Sequence, residues 1–166
     1  INLENNTDSN ILNLKLNFDF KKKIELDLIN YKKPEGSVAN IFLILEKKKN
    51  VININNLIFK EGNNLFEVRG LSFNNNKLSS FKKIEVRTSN NNFKIEKGKK
   101  IIIKGTKFDA TNLAKIFSEK SEEKRFSKIN SAIEIDFKNI KVPMSEKLQN
   151  FKLIGQINKG QFVKIS

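Results

Sequence analysis

"LNLKLNFDF", Leu12 to Phe20, changes character at every step. Leu12, Leu14, Leu16, Phe18 and Phe20 share one parity; Asn13, Lys15, Asn17 and Asp19 share the other. Successive side chains of a β-strand point to opposite faces, so this segment predicts a strand with one apolar and one wet face. Ile24, Leu26 and Leu28 alternate in the same way with Glu25 and Asp27, as do Ile133, Ile135 and Phe137 with Glu134 and Asp136. An antiparallel sheet covered on one side reads like this, whereas a parallel sheet packed on both faces reads as continuous apolar runs. Only Ile41 to Leu45 is such a run.

Turn signals punctuate these strands: Pro34-Glu35-Gly36, Glu61-Gly62-Asn63-Asn64, Asn74-Asn75-Asn76, Asn90-Asn91-Asn92, Gly98 and Asn158-Lys159-Gly160. Gly and Asn tolerate the positive φ that tight hairpins require. One segment departs from period two. After Ile101, Ile102 and Ile103, the apolar residues Ala110, Leu113, Ala114 and Phe117 fall at i, i+3, i+4 and i+7, which predicts one short amphipathic helix over about 109–118. Asp109 is placed to cap it. Residues 118–128, "SEKSEEKRFSK", form a polar linker before strand periodicity resumes. The expected fold is mainly β, a single β-rich unit over residues 1–166.

With 166 residues the chain is long enough to bury a core without staples. It has no Cys and no His, so Ser-His-Asp and Cys-His catalysis and the usual zinc sites cannot be built from it. No cofactor or metal is expected. The carboxylate pairs Glu25/Asp27 and Glu134/Asp136 alternate with apolar residues that turn them outward, which predicts a solvated face and not acid–base work. Two Ser-x-x-Lys matches, at Ser80 and Ser121, lack the other elements of the β-lactamase set. Catalysis is not expected.

The net charge of +14 suggests an acidic partner, but apart from Arg69, Arg87 and Arg125 the cations are lysines. Lys, Asn, Ile and Phe share AT-rich codons, and a genome biased towards A and T gives this profile without selection for a polyanion. Phe18, Phe20, Phe59, Phe73 and Phe137 lie in register with aliphatic residues and read as core or lining, not as exposed stacking platforms, so nucleic acid is not the expected partner. The longest apolar run is far below the ~20 residues of a membrane-spanning helix. The chain begins at an isoleucine, which suggests a piece of a longer protein, with any membrane anchor or export signal outside it.

The element order from about residue 50 to 166 resembles the AsmA-like proteins of Gram-negative envelopes, most closely their YhdP-like branch. The likeness rests on the step Gly105-Thr106-Lys107-Phe108-Asp109, the helix after it, the polar linker, the alternating strand "AIEIDF", and the final strand–turn–strand "FKLIGQINKGQFVKIS". Asn and Lys stand where such proteins usually carry Gly, Arg and Ala. The resemblance implies a twisted sheet curled into a groove, apolar inside and polar outside. It implies a segment of a periplasmic protein, anchored at the inner membrane outside this fragment, that guides phospholipids between inner and outer membrane. Partners would be phospholipid acyl chains, the remaining segments of the same chain, and inner- and outer-membrane proteins.

On that reading Leu14, Leu16, Phe18, Leu26, Leu43, Ile133, Ile135 and Phe137 form the apolar face, as tail contacts or core. Ala110, Leu113, Ala114 and Phe117 form the stripe by which the helix covers the groove. Head-group selectivity should be poor, because alternation puts the polar residues on the outer face. The alternatives are a basic nucleic-acid-binding β module and a structural β spacer without cargo.

Overall fold

The structure is a computed structural model, and it describes residues 2–6, 11–113, 130–143, 147–159 and 161–165. These form strands β1 (Asn2–Asn6), β2 (Ile11–Phe20), β3 (Ile24–Leu26), β4 (Tyr31–Lys33), β5 (Ala39–Lys48), β6 (Val51–Glu61) and β7 (Asn64–Asn74). They continue with β8 (Lys77–Ser80), β9 (Lys83–Arg87), β10 (Asn92–Lys97), β11 (Ile101–Asp109), β12 (Ser131–Lys141), β13 (Lys147–Asn158) and β14 (Gln161–Ile165). Twelve strands make one sheet in the order β1-β2-β5-β6-β7-β9-β10-β11-β12-β13-β14, with β8 paired to β7. The fold is therefore mainly β and mostly antiparallel. Its one parallel pair among the described residues is β11 with β12.

Most turns fall where Gly and Asn predict them; the β5–β6 turn, with Lys49 at positive φ, is not among them. Gly36, Gly62, Asn75 and Asn76 all have positive φ, a conformation that costs these residues least. The expected strand through Leu28 stops early. β3 ends at Leu26, a 3-10 turn covers Asp27–Ile29, and Asn30 adopts left-handed φ 49° to start β4. The β3–β4 hairpin is a separate two-stranded sheet inserted between β2 and β5.

The helix expected over 109–118 is not seen among the described residues. Asp109 is the last residue of β11, a turn at Thr111 and Asn112 follows, closed by the Leu113 N–H on the Ala110 carbonyl at 3.1 Å, and Leu113 is the last described residue of this segment. Ala114, Phe117 and the linker lie outside the described residues. The segment sits at the parallel connection, where chain leaving β11 at Asp109 has to return to the start of β12 beside Ile101. Parallel neighbours need a crossover of a dozen residues or more, and residues 110–130 supply it.

Two phase shifts keep the same face apolar along strands too long for strict alternation. In β6, Ile44 and Leu45 pair with Asn56 and Ile54, so Asn55 is an extra residue. Ile52 and Ile54 thereby stay on the face of Leu57 and Phe59. In β11, Asn92 and Phe93 pair with Lys107 and Gly105, leaving Thr106 extra and returning Phe108 to the face of Phe137. Such bulges bend the strand and re-aim its side chains.

Candidate apolar binding face

Direct cross-strand partners share a face, so the pairing register defines what each side of the sheet carries. One row runs Phe18, Ile41, Phe59, Phe66, Val86, Phe93, Gly105, Phe137, Phe151 from β2 to β13. The next row on the same face runs Leu16, Leu43, Leu57, Val68, Ile84, Ile95, Ile103, Ile135, Leu153 and is aliphatic throughout. A third begins with Leu14, Leu45, Ile54 and Leu71 and ends with Ile101, Ile133 and Gly155.

Burial across this face is uneven. Phe59, Val86, Phe93, Phe137 and Ile140 are buried with Ile29 and Tyr31 of the hairpin, Ala39 and Ala110. A second buried group joins Phe81 to Ile101 and Ile133. The aliphatic row between them is only half-buried in every strand. Removing a Phe side chain from water contributes roughly 1.5–3 kcal/mol, so the aromatic row anchors the sheet.

Gly105 interrupts that row. A Cβ there would lie 2.5 Å from the Asn92 carbonyl oxygen, 2.5 Å from Phe93 Cβ and 2.7 Å from the Phe137 ring. Phe93 and Phe137 meet over it with ring centroids 5.9 Å apart, and Phe108 stands 5.4 Å from each.

The β3–β4 hairpin caps the aromatic end of the face. Tyr31 packs edge-on against Phe66 and Phe59, at 4.7 and 6.1 Å between centroids. Its hydroxyl donates to Glu61 at 2.9 Å, and burial followed by that bond holds it protonated well above the usual phenol range. Lys33, fully buried, donates to the carbonyls of Lys22 and Pro34 at 2.9 and 3.1 Å and lies 5.6 Å from the Phe20 ring centroid.

Asn91 and Asp109 latch this hairpin to the sheet. Asn91 is fully buried; its amide donates to the Ile29 carbonyl at 2.6 Å and its side-chain oxygen accepts from the Asp109 N–H at 2.9 Å. The Asp109 carboxylate accepts from the Thr111 hydroxyl at 2.6 Å, the Thr111 N–H at 3.2 Å and the Asn30 amide at 3.2 Å, with Lys141 Nζ at 3.4 Å. Burial pushes its carboxyl up, but the Thr111 bonds, then Asn30 and Lys141, outweigh it and hold it below the ordinary carboxylate range. Asp109 thus does what a capping residue does, accepting an N–H two residues ahead, at a turn.

The reverse face is mostly polar, with Phe42, Ile44 and Ile58 as an apolar group on β5 and β6, where the run Ile41 to Leu45 places apolar residues on both faces. Glu67 and Glu85 are direct partners, a like-charge pair that would repel without cations between them. Lys83 bridges both, at 3.7 and 2.6 Å, while Arg69 reaches Glu67 at 2.6 Å and Arg87 reaches Glu85 at 3.2 Å. Glu134 pairs with Lys100 and Lys104, and Glu25 with Lys23 and Lys32. These carboxylates serve as ion-pair partners, Glu67 as a buried one.

Leu14, Leu16, Phe18, Leu43, Ile133, Ile135 and Phe137 therefore lie on one face of the large sheet. Leu26 does not: it belongs to the hairpin, outside that sheet, and is 40% exposed. Ala110 is buried in the group under the hairpin and Leu113 packs against it. The sequence reading missed Leu57, Val68, Ile84, Ile95 and Leu153. The alternation of Val68, Ile84, Ile95 and Leu153 in "FEVRG", "KIEVR", "FKIEK" and "FKLIG" is the same signal on shorter or more interrupted segments, while Leu57 follows the extra residue Asn55. Comparison with family models, curated proteins and solved structures finds no match for this chain.

Proposed function

We propose that the apolar face holds phospholipid acyl chains and that the chain is a segment of an envelope lipid-transport protein of the AsmA-like kind. The observation that carries this reading is the aliphatic row from Leu16 to Leu153. It is continuous across the sheet, yet half-buried in every strand. A core closed by a second sheet would bury it fully. Acyl chains suit such a surface, because each buried methylene contributes about 0.8 kcal/mol without any directional contact. A curl of the sheet into a groove, with a helix beyond the turn at Thr111 and Asn112 lying along it, belongs to this proposal, as do the periplasmic setting and the anchor at the inner membrane.

Native mass spectrometry of the purified chain after incubation with phospholipid vesicles tests it. Bound phospholipid is expected, reduced by Leu16→Asp or Ile135→Asp under conditions where the β circular-dichroism signal persists. A folded chain that never carries lipid would leave a structural spacer as the better account.

A further inference from the structure

We infer that the strand ends remote from the hairpin form a phosphate-recognising rim, which selects anionic head groups for tails lying on the apolar face. This rests on the lipid-binding reading above. The turns β5–β6, β7–β8 and β10–β11 all lie at that end, and they carry Lys47, Lys48, Lys49, Lys77, Lys97 and Lys99. No Asp or Glu occurs in residues 47–50, 75–77 or 97–100. At the hairpin end the turns carry Glu25, Asp27, Glu35, Glu61 and Asp109 among their cations. Codon bias enriches lysine throughout a chain, but it does not by itself leave three described turns at one end without a carboxylate.

Two of these lysines belong to the apolar face itself. Lys47 is the direct partner of Leu12 and Ile52, and Lys97 is the partner of Ile101, with its Nζ 5.9 Å from the Phe81 ring centroid. Their stems lie along apolar neighbours while the ammonium reaches water, the arrangement that places a cation at an apolar–aqueous boundary. A cleft of about 200 Å³ opens there between Lys47, Lys49, Asn50, Ile52, Asn75 and Asn76. It offers ammonium and amide donors beside an apolar side chain, which fits a phosphate with a tail attached. The neighbouring carboxylates Glu46 and Glu96 pair in register with Asn53 and with Lys83 and Ile102 on the reverse face, and Glu134 is taken up by Lys100 and Lys104. Among the described residues, none of Lys47, Lys49, Lys77, Lys97 and Lys99 forms an ion pair. The rim thereby replaces the expectation of indifference to head group with selectivity by charge.

The chain is incubated with vesicles of equal phosphatidylglycerol and phosphatidylcholine, and the lipid bound to protein is extracted and quantified. Total loading reads the apolar face; the ratio of the two lipids reads the rim. At low salt the anionic lipid is expected to be enriched at least about fivefold. The triple variant Lys47→Gln, Lys49→Gln, Lys97→Gln should bring the ratio near one with total loading unchanged. Lys152→Gln, on the reverse face, should leave both unchanged. Normal loading at a ratio of one in the wild type overturns the rim and leaves the lipid reading intact, whereas no loading at all overturns both. Inorganic phosphate in excess, against chloride at matched ionic strength, should leave the ratio in place; its collapse would make the rim a free-anion site and overturn the head-group assignment. An oligothymidylate that binds the wild type but not the triple variant, with the lipid ratio at one, would make it a nucleic-acid surface instead.

Discussion

At Asp109 a single side chain gathers the end of β11, the turn after it and the β3–β4 hairpin. Its folded pKa lies below the ordinary value near 3.8, so its contribution to stability is fully present above that value. The contribution is lost as the pH falls through the lower, folded value. Asp109→Asn should cost about 1–3 kcal/mol at neutral pH, because the amide NH2 replaces one of two acceptor oxygens and faces either Thr111 or Asn30 and Lys141, all of which donate. The gap between the melting temperatures of wild type and variant should narrow between pH 5 and about pH 3. A gap independent of pH would show that the carboxylate is not the latch. Beside this buried polar hub, facial alternation decides tolerance. Leu16→Asp puts an unpaired charge among Leu14, Leu43 and their neighbours and should be strongly destabilising, by several kcal/mol. Lys15→Asp, on an exposed position of the reverse face, should stay within about 0.5 kcal/mol. Equal melting temperatures for this pair would refute the assignment of faces.

At the scale of strands and turns, period two was a reliable guide wherever the pairing was regular, as in β2 and in the first half of β12. It failed where a bulge changed its phase: "VININNLIF" hides one continuous apolar edge because Asn55 is inserted between Ile54 and Leu57. The hairpin was misread for a different reason. Ile24, Leu26 and Leu28 alternate well, but the left-handed Asn30 and the contacts of Ile29 and Tyr31 with distant strands override the local pattern. The buried Asn91 could not be recognised from an Asn-rich turn, since its partners come from Ile29 and Asp109, far away in sequence. The apolar site was legible to the extent that it lies on long alternating strands. Gly105 offers the sharpest test of an element junction. Gly105→Ala would drive its methyl into the Asn92 carbonyl oxygen and Phe93, and backbone cannot yield as a flexible side chain can. A loss of about 1–3 kcal/mol is expected, measured by urea denaturation. An unchanged midpoint would mean that β10 and β11 separate freely, against the packing of Phe93 over Gly105.

At the scale of the whole molecule, one sheet has an apolar face that is sealed by the hairpin at one end, buried again around Phe81, Ile101 and Ile133, and half-open along the aliphatic row between them. The seal is the β3–β4 insertion, and the pairing of its flanks allows it to be removed without moving the sheet. Phe20 and Ala39 are direct partners in β2 and β5, so residues 21–38 can be replaced by Asn-Gly, the two-residue connection that suits a tight hairpin. The replacement takes away the burial of Ile29 and Tyr31, worth roughly 3–6 kcal/mol together, and uncovers Phe59, Phe66 and Phe93. It also shortens the chain that must be ordered between two strands, which offsets a small part of the loss. The expected result is a lower melting temperature, a retained β circular-dichroism signal, and stronger binding of a fluorescent apolar dye such as anilinonaphthalene sulfonate. Where the face carries acyl chains, the uncovered aromatic row lengthens the surface open to them, and more lipid should be retained per chain. Unchanged dye binding and stability would show that the hairpin merely rests on the sheet, and that the aromatic row is closed by packing within the sheet itself.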